Sequence, residues 1–326
     1  MWTLLLIGAI LLVVAVKAFH WLQARATIPS LHTRYVLITG CDSGFGRRLA
    51  KRLDNMGCHV FAACLTSSSV TELSDESSER LKALQMDVTK DEDIERALRE
   101  VEAALPENKG LWAIVNNAGI FGASGVAEMM TRKDFLAPLQ VNLLGMTQVT
   151  RMFLPLVRRE RGRVVNMTSV VGRFALSPAP YVASKFAAAG YTDMLRRELL
   201  RHPISVHSIQ PGAYAATNLL DRENTRKAVT RVFQATPPHV QQVYGHDFVE
   251  KSMEAMDMTR RYLLDTNPEE VVDAYVHALT SKRPSTTYTV GRNGNFFFRP
   301  MWMMPEWLAD WVISFMVTPP ANESSS

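Results

Sequence analysis

A tyrosine and a lysine four residues apart form a pair in this sequence that could carry out acid–base chemistry. Tyr181 and Lys185 belong to the run YVASK, which opens a helical pattern. On a helix this spacing places both side chains on one face, about one turn apart. Because the reference pKa of tyrosine is about 10, a phenol that acts as a base near neutrality needs a nearby cation to stabilise the phenolate. Lys185 can supply that cation, so Tyr181 is a candidate general base for a substrate hydroxyl group.

A glycine-rich run near the start of the chain predicts a phosphate-binding loop. The residues TGCDSGFG at positions 39–46 lie between an apolar run and a helical pattern. Gly40 permits a tight turn, Gly44 lets backbone N–H groups approach a pyrophosphate, and Gly46 lets the helix pack closely on the strand. The N-terminus of the following helix attracts the anion. The predicted dinucleotide site therefore comprises Gly40, Asp42, Ser43, Gly44, Phe45 and Gly46.

The segments that must position these residues alternate between short apolar runs and helical patterns. The apolar runs predict strands at Tyr35–Thr39, His59–Ala63, Leu81–Asp87, Trp112–Asn116, Arg163–Ser169, Ile204–Gln210 and Thr287–Val290. Helices are predicted at Phe45–Met56, Asp91–Leu105, Phe135–Arg159 and Tyr181–Arg201. This alternation predicts an α/β fold, a doubly wound parallel sheet of the Rossmann type with about seven strands. The charged stretch Asp221–Asn267 has no strand pattern and is predicted to cover the substrate side with helices.

The order and spacing of these motifs resemble the short-chain dehydrogenase/reductase family over residues 35–305. The glycine run has the spacing T-G-x-x-x-G-x-G, and Asn116–Gly119 reads NNAG at the end of the fourth predicted strand. The resemblance implies that Ser169 hydrogen-bonds the substrate oxygen and that Asn142 holds a water for a proton relay through Lys185. It implies cofactor contacts by Asp87, Val88, Asn116, Ala118, Gly119, Tyr181, Lys185, Pro211, Gly212 and Thr217. Among these, Asp87 would hold the adenine and Thr217 would reach the nicotinamide carboxamide.

Finer motifs resemble one branch of that family. The runs TGCDSGFG, LQMDVTK, GLWAIVNNAG and IQPG look like those of retinol dehydrogenases and NAD-using 11β- and 17β-hydroxysteroid dehydrogenases. A mitochondrial 3-hydroxybutyrate dehydrogenase belongs to the same branch, and Gly212–Thr217 resembles that enzyme. A small hydroxy acid needs a cation for its carboxylate, and the sequence leaves open whether Arg173, Arg226 or Lys227 points inward. A lipophilic alcohol is the favoured substrate; a catalytically silent membrane scaffold is the third alternative.

The cofactor is predicted to be NAD rather than NADP. A 2′-phosphate needs Arg or Lys, and the stretch Ala63–Glu72 contains neither, while Asp42 would repel the phosphate. Many NAD-using relatives carry an acid at the end of the second strand, where this chain has Ala63, Cys64 and Leu65. The contact to the adenosine ribose is therefore unassigned from sequence.

Composition favours one large domain at residues 30–295 with a tail at each end. The chain has 326 residues, is 47% hydrophobic and carries a net charge of +4 with no basic run, which argues against nucleic acid as a partner. Eight histidines without ligand pairing and three cysteines without metal-ligand spacing imply no metal site. A homodimer is a further expectation.

Both ends carry apolar sequence. Every residue from Leu4 to Val16 is apolar or glycine, and residues 1–25 are interpreted as an uncleaved anchor in the endoplasmic reticulum membrane. Positive charge after this block favours a cytoplasmic catalytic domain. Residues 296–326 begin with the aromatic stretch Phe296–Val317, whose charges and prolines make it a poor span. Two interpretations of that stretch remain open: a helix packed on the core, or a segment at the membrane interface beside the substrate entrance.

Overall fold

A parallel sheet of seven strands forms the centre of the computed structural model, which describes residues 26–214, 221–263 and 267–315. The strands are β1 (Tyr35–Thr39), β2 (His59–Cys64), β3 (Leu81–Gln85), β4 (Ala113–Asn116), β5 (Arg163–Met167), β6 (Ser205–Pro211) and β7 (Thr287–Val290). Their order is β3-β2-β1-β4-β5-β6-β7, and all neighbouring pairs are parallel. The strand order reverses between β1 and β4, where doubly wound sheets bind ligands at the carboxyl ends of their strands.

Helices cover both faces of this sheet. They are α1 (Gly44–Asn55), α2 (Ser67–Asp75), α3 (Asp91–Ala104), α4 (Arg132–Leu139), α5 (Met146–Arg159), α6 (Ala179–Glu198), α7 (Arg222–Ala235), α8 (Pro238–Tyr244), α9 (Phe248–Leu263), α10 (Glu269–Thr280), α11 (Arg299–Met303) and α12 (Glu306–Ser314). Helices α1 and α10 pack with Val36 and Ile38 of β1 in one core. Leu37 points to the other face, into a core with α3 and α5. The central strands are thus buried on both sides, which explains their continuously apolar sequences, whereas the edge strands β3 and β7 are partly exposed.

The predicted fold class is confirmed, with shifts at element ends. The helix predicted at Phe135–Arg159 consists of α4 and α5 joined by a π-helical turn at Gln140–Gly145. Helices α2 and α10 were not predicted from sequence. A residue inserted as a π turn inside a helix often marks a functional position, and this turn contains Asn142.

The stretch predicted as a helical cover contains α7, α8 and α9. These helices have a small core of their own, in which Val232, Phe233 and Val240 pack against Ala123 and Met129. The helical cover therefore rests on the loop that follows β4 and has a core apart from the two that flank the sheet. It closes over the carboxyl ends of the strands.

The described ends of the chain pack on segments that flank β7 in the sequence. Before β7, Ile28 donates its backbone N–H to Thr280 (2.7 Å) and Lys282 donates to Ala26 (2.7 Å), so the N-terminal segment is strapped to the end of α10. After β7, a π-helical turn at Gly294–Phe298 leads into α11 and α12. No helix within residues 26–214, 221–263 and 267–315 is long and apolar enough to span a membrane. The predicted anchor at residues 1–25, Thr217 and the tail beyond 315 lie outside the described residues.

Candidate active site

The loop after β1 has the tight geometry that its glycines predict. Gly40 and Gly44 have φ angles of 71° and 60°, a region that side chains rarely adopt. A Cβ on Gly40 would lie 2.7 Å from the Cα of Ala118, and one on Gly46 would collide with the carbonyl oxygen of Gly40. Glycine is therefore required at these positions for the loop, the helix and the NNAG turn to pack together.

The first turn of α1 offers backbone donors to an anion. Ser43 precedes the helix and its side chain makes no capping hydrogen bond, so the first N–H groups of α1 are left for another acceptor. Ser43, Gly44 and Phe45 line a cavity of about 1180 Å³ at the carboxyl ends of the strands. The close-packed glycines and these donors fit the pyrophosphate of a dinucleotide.

Asn117, which sequence reasoning missed, braces this loop. Its amide Nδ2 donates to the carbonyl oxygens of Thr39 and Gly40, both at 3.0 Å, and Asn117 lines the cavity with Ala118 and Gly119. The neighbouring Asn116 is turned away and donates to Thr150 and Asn166, both at 2.8 Å, in a buried polar network. The doubled asparagine of the NNAG run was the available signal.

Asp42 brings a carboxylate to the end of β2. Its oxygens accept the backbone N–H groups of Leu65 (2.9 Å) and Thr66 (3.1 Å), the residues that follow the strand. All three residues line the cavity. The nearest arginine, Arg47, is held by Glu72 at 3.5 Å and Glu76 at 3.0 Å and is not among the cavity-lining residues.

Four of the predicted cofactor residues that the structure describes do not line the cavity: Gly46, Asp87, Val88 and Asn116. Asp87 accepts hydrogen bonds from the N–H (3.0 Å) and hydroxyl (2.7 Å) of Thr89, and so stabilises its own turn. Val88 packs against the π turn, where a Cβ on Gly145 would come within 2.8 Å of it. The adenine contacts of Asp87 and Val88 remain predictions.

Ser169, Tyr181 and Lys185 meet at the wall of the same cavity. The Lys185 Nζ lies 5.7 Å from the centre of the Tyr181 ring and donates to the carbonyl oxygen of Met167 at 3.1 Å. The Ser169 hydroxyl donates to the carbonyl oxygen of Pro211 at 3.3 Å, a long bond that a substrate oxygen can replace. Helix α6 carries the tyrosine and lysine, and the end of β5 carries the serine.

Burial shifts the titration of the tyrosine and the lysine in opposite directions. Burial raises the pKa of Tyr181 to about 12, although the hydrogen bond with Ser169 acts to lower it. Burial also lowers the pKa of Lys185 to about 8. Both shifts follow from the cost of charge in a low-dielectric site. A nearby cation therefore has a large effect on whether the phenolate forms.

Asn142 anchors the loop after β4 to α6. Its amide accepts the N–H of Ile120 (2.8 Å) and donates to the carbonyl oxygen of Ile120 (2.9 Å) and to the Ser184 hydroxyl (2.9 Å). The side chain is fully buried. A Cβ on Gly119 would lie 3.2 Å from the Asn142 Oδ1 and 3.6 Å from the Lys185 Nζ, so the glycine allows these groups to approach.

Asn293 is a second residue that sequence reasoning missed. Its amide accepts the N–H of Ala213 (3.3 Å) and donates to the Ala213 carbonyl oxygen (3.1 Å), 80 residues away in the chain. Any side chain on Gly212 would collide with this amide. Pro211 and Gly212 line the cavity, as the resemblance implies for the nicotinamide side. No sequence motif marked Asn293.

The cavity lining is largely apolar. The Phe121 ring lies 4.7 Å from that of Tyr181. Further apolar lining comes from Val126, Leu176, Val229, Phe248, Met256 and Phe298. Within the described residues, the cationic side chains in the lining are Lys185 and Lys251, and Lys251 is paired with Asp247 at 2.9 Å.

The three cations named as candidates for a hydroxy-acid carboxylate are engaged elsewhere. Each forms an ion pair and none lines the cavity: Arg173 with Asp193 (3.0 Å), Arg226 with Glu250 (2.7 Å) and Lys227 with Glu223 (2.7 Å).

This sheet and this site are those of a short-chain dehydrogenase. The family model described as short chain dehydrogenase matches residues 34–228, and the chain belongs to this family. It is 38% identical over 305 residues to 17-beta-hydroxysteroid dehydrogenase type 6 of Bos taurus, covering 93% of this chain and 95% of the relative. It is 40% identical over 308 residues to retinol dehydrogenase 16 of Homo sapiens, again covering 93% and 95%. A short-chain dehydrogenase from Streptomyces avermitilis has a similar structure, with a TM-score of 0.64 at 22% identity over 88% of this chain and 98% of that one.

Proposed function

We propose that this chain oxidises a lipophilic primary or secondary alcohol, a retinol or a hydroxysteroid, to the aldehyde or ketone, with NAD as the hydride acceptor. The observation that carries the proposal is the position of Ser169, Tyr181 and Lys185 at the wall of a cavity whose lining is largely apolar. The relatives named as hydroxysteroid and retinol dehydrogenases support this substrate class.

Each side chain of the site has its own role in the proposed reaction. A bound nicotinamide would supply the acceptor for the hydride of the carbinol carbon. The Ser169 hydroxyl exchanges its long bond to Pro211 for one to the substrate oxygen and holds that oxygen next to Tyr181. The phenolate of Tyr181 takes the hydroxyl proton as the hydride leaves. The Lys185 ammonium stabilises the phenolate, and the proton then reaches solvent through a water held near Asn142.

Asp42 supports NAD rather than NADP. Its carboxylate lies on the cavity wall at the end of β2, beside Leu65 and Thr66. This is the end of the strand at which many NAD-using relatives carry an acid, so Asp42 reaches the same place from the glycine loop. We assign it the adenosine ribose hydroxyl. A 2′-phosphate would meet the Asp42 charge, and Arg47 is already paired with two glutamates.

A small hydroxy acid is disfavoured. Its carboxylate requires a cation or several donors in the cavity. Among the described lining residues, the cations are Lys185, which lies next to Tyr181, and Lys251, which forms an ion pair with Asp247. The apolar lining instead matches a retinoid or a steroid skeleton.

Membrane attachment and dimerisation extend the proposal. Residues 1–25 would anchor the chain in the endoplasmic reticulum membrane, with the catalytic domain in the cytoplasm, where a lipophilic alcohol is concentrated beside it. A homodimer would cover apolar side chains that α6 and the π turn leave exposed, such as Leu144, Phe186 and Met194.

The test is turnover of a substrate panel by the purified chain in detergent. Retinoids, hydroxysteroids and 3-hydroxybutyrate are each supplied with NAD, and reduced cofactor is followed by absorbance. We expect turnover of a retinoid or hydroxysteroid and little of 3-hydroxybutyrate. Preference for 3-hydroxybutyrate would overturn the substrate class, and no turnover of any alcohol with either nicotinamide cofactor would favour the silent scaffold.

A further inference from the structure

The C-terminal helices present an aromatic stripe that the folded chain leaves uncovered. Trp307, Trp311 and Phe315 follow one another at intervals of four, and their exposed fractions are 71%, 59% and 71%. Met303 and Phe296, earlier in the same segment, are exposed at 74% and 82%. Intervals of four place the three aromatic rings along one side of a helix. We refer to Phe296, Met303, Trp307, Trp311 and Phe315 as the aromatic stripe.

The opposite side of the same segment packs on the domain. Phe298, Met301 and Ala309 are buried. Glu306 and Asp310, which each precede a tryptophan by one position, lie about 100° round the helix from the stripe. Both acids are exposed. The segment therefore has a side fixed to the protein, an aromatic side and a charged flank between them, as in a helix that lies along a membrane surface.

The segment that carries the stripe also contributes to the proposed substrate cavity. Phe298 lines the cavity and packs in one cluster with Val170 and Val171, against which Tyr181 and Trp302 also pack. Because this segment forms part of the cavity wall, a substrate dissolved in the bilayer would reach the cavity past it.

The N-terminal strap, residues 26–28, lies at the amino ends of the central strands. Ala26 is hydrogen-bonded to Lys282, and the neighbouring Ala278 and Ser281 accept hydrogen bonds from Arg163 at the start of β5. The apolar residues 1–25 directly precede Ala26 in the sequence. The aromatic stripe follows β7, the edge strand of the sheet.

We propose that the aromatic stripe is a second membrane contact, seated at the headgroup level of the bilayer that holds the N-terminal anchor. Tryptophan and phenylalanine are the side chains that favour this layer, and exposed Arg292 and Arg299 on the same segment suit anionic headgroups. With this contact, the segment after β7 lies along the membrane surface, and Phe298 of the same segment lines the cavity. The route for substrate rests on the proposed function; the docking itself does not.

Site-selective labelling of the whole chain tests this orientation. Cys41, Cys58 and Cys64 are buried, so an environment-sensitive fluorophore attached to Trp311→Cys reports on that position. Leu200→Cys is the matched control, because Leu200 is also apolar and is 71% exposed, just beyond the end of α6. The labelled chains are placed in phosphatidylcholine vesicles with phosphatidylserine, with and without lipids that carry a nitroxide near the headgroup. Phe315→Cys repeats the measurement if Trp311→Cys does not fold.

We expect the Trp311→Cys label to shift to the blue in vesicles and to lose most of its emission with nitroxide lipids, while the Leu200→Cys label stays water-exposed and bright. A blue-shifted Trp311→Cys label that the nitroxide lipids do not quench would mean that protein, either residues 1–25 or a second copy, covers the stripe, and would overturn the proposal. Labels that both stay water-exposed, or are both quenched, would overturn it as well. Turnover of each labelled chain in detergent is measured separately, so failure of the proposed activity is distinguishable from failure of docking.

Discussion

At the scale of single residues, the candidate site depends on two ionisable side chains at the cavity wall, Tyr181 and Lys185. Burial raises the pKa of Tyr181 to about 12, even with the opposing effect of Ser169, and lowers the pKa of Lys185 to about 8, so each residue by itself favours its neutral form. Because the two side chains are close together, the charged form of each one stabilises the charged form of the other. A phenolate and an ammonium attract strongly in a low dielectric. Their titration therefore belongs to the pair rather than to either residue.

Tyr181→Phe should remove turnover and leave cofactor binding nearly intact. The hydroxyl does the proton transfer, worth roughly 10²- to 10⁴-fold in rate, whereas the ring packs against Phe121. Steady-state oxidation and NAD binding by fluorescence titration measure the two effects. Tyr191→Phe, on the same helix and outside the cavity lining, is the control and should keep its activity. Substantial turnover by Tyr181→Phe would remove this residue from the role of base.

Asp42→Asn should narrow the preference for NAD over NADP. Loss of the charge removes the repulsion of a 2′-phosphate and weakens the bond to the ribose, so the ratio of the kcat/KM values should fall roughly tenfold, equivalent to 1.4 kcal/mol. Asp75→Asn makes the same change of charge at the exposed end of α2 and should leave the ratio unchanged. An unaltered ratio in Asp42→Asn would place cofactor discrimination elsewhere.

At the scale of elements, the sequence patterns predicted the strands and several of the helices. They did not predict contacts between residues that are far apart in the chain. The central strands were predicted because burial on both faces makes them continuously apolar. The edge strands β3 and β7, which are partly exposed, were predicted from short β-rich runs. Helix α2 was missed because its sequence, SSSVTELSD, is polar and buries only Leu73. Helix α10 was missed because β-branched valines dilute its helical pattern.

The same limit applies inside the site. The glycines, Tyr181 and Lys185 are marked by spacing within one motif. Asn117 and Asn293 act on backbone groups about 80 residues away, at Gly40 and Ala213, and no local spacing records such contacts. Only the sheet order, which brings β1 beside β4 and β6 beside β7, puts them in reach.

The folded chain should lose stability as the pH falls below neutral, because His207 on β6 is buried against the segment that leads into β7. This buried histidine has its Nδ1 2.7 Å from the carbonyl oxygen of Ser285 and its Nε2 2.8 Å from the Ser205 hydroxyl. Burial, with lesser contributions from Arg163 and His277, lowers its pKa from 6.5 to about 4. The unfolded chain therefore binds the proton first, and stability is lost as the pH falls from about 6.5 towards 4.

Urea unfolding at several pH values measures this contribution. The loss should be at most roughly 3 kcal/mol across that window, since one pKa unit corresponds to about 1.4 kcal/mol. His207→Gln should be less stable at neutral pH but should show a shallower decline on acidification. His202→Gln, at an exposed position, is the control. A decline in His207→Gln as steep as in the parent chain would assign the acid sensitivity to other groups.

At the scale of the whole molecule, two smaller parts are attached to the sheet and its two large cores. The helical cover formed by α7, α8 and α9 has its own small core. The C-terminal segment that follows β7 carries the aromatic stripe. The described residues predicted to bind the cofactor lie on the sheet, on the helices that pack against it and in the loops that follow its strands.

The two ends of the chain should hold it to a membrane with different strengths. The uncharged block within residues 1–25 would contribute several kcal/mol even at about 25 cal/mol per Å² of apolar surface removed from water. The aromatic stripe, at the headgroup level, would be held more weakly, because its helices also face water. We therefore expect the 326-residue chain to stay in the membrane pellet after alkaline carbonate. A chain lacking residues 2–25 should be released by carbonate, yet should still float with vesicles at neutral pH.

Adding Trp307→Ser and Trp311→Ser to each chain completes the comparison. In the shortened chain the double substitution should abolish flotation, whereas in the 326-residue chain it should leave carbonate resistance unchanged because the anchor suffices. Turnover in detergent should be similar in all four chains, since the residues proposed as catalytic lie between Asn142 and Lys185 and none is altered. Release of the 326-residue chain by carbonate would refute the anchor, and with it the main reason to expect the substrate to arrive from the bilayer. Loss of flotation on deletion alone would show that the stripe does not bind membrane by itself.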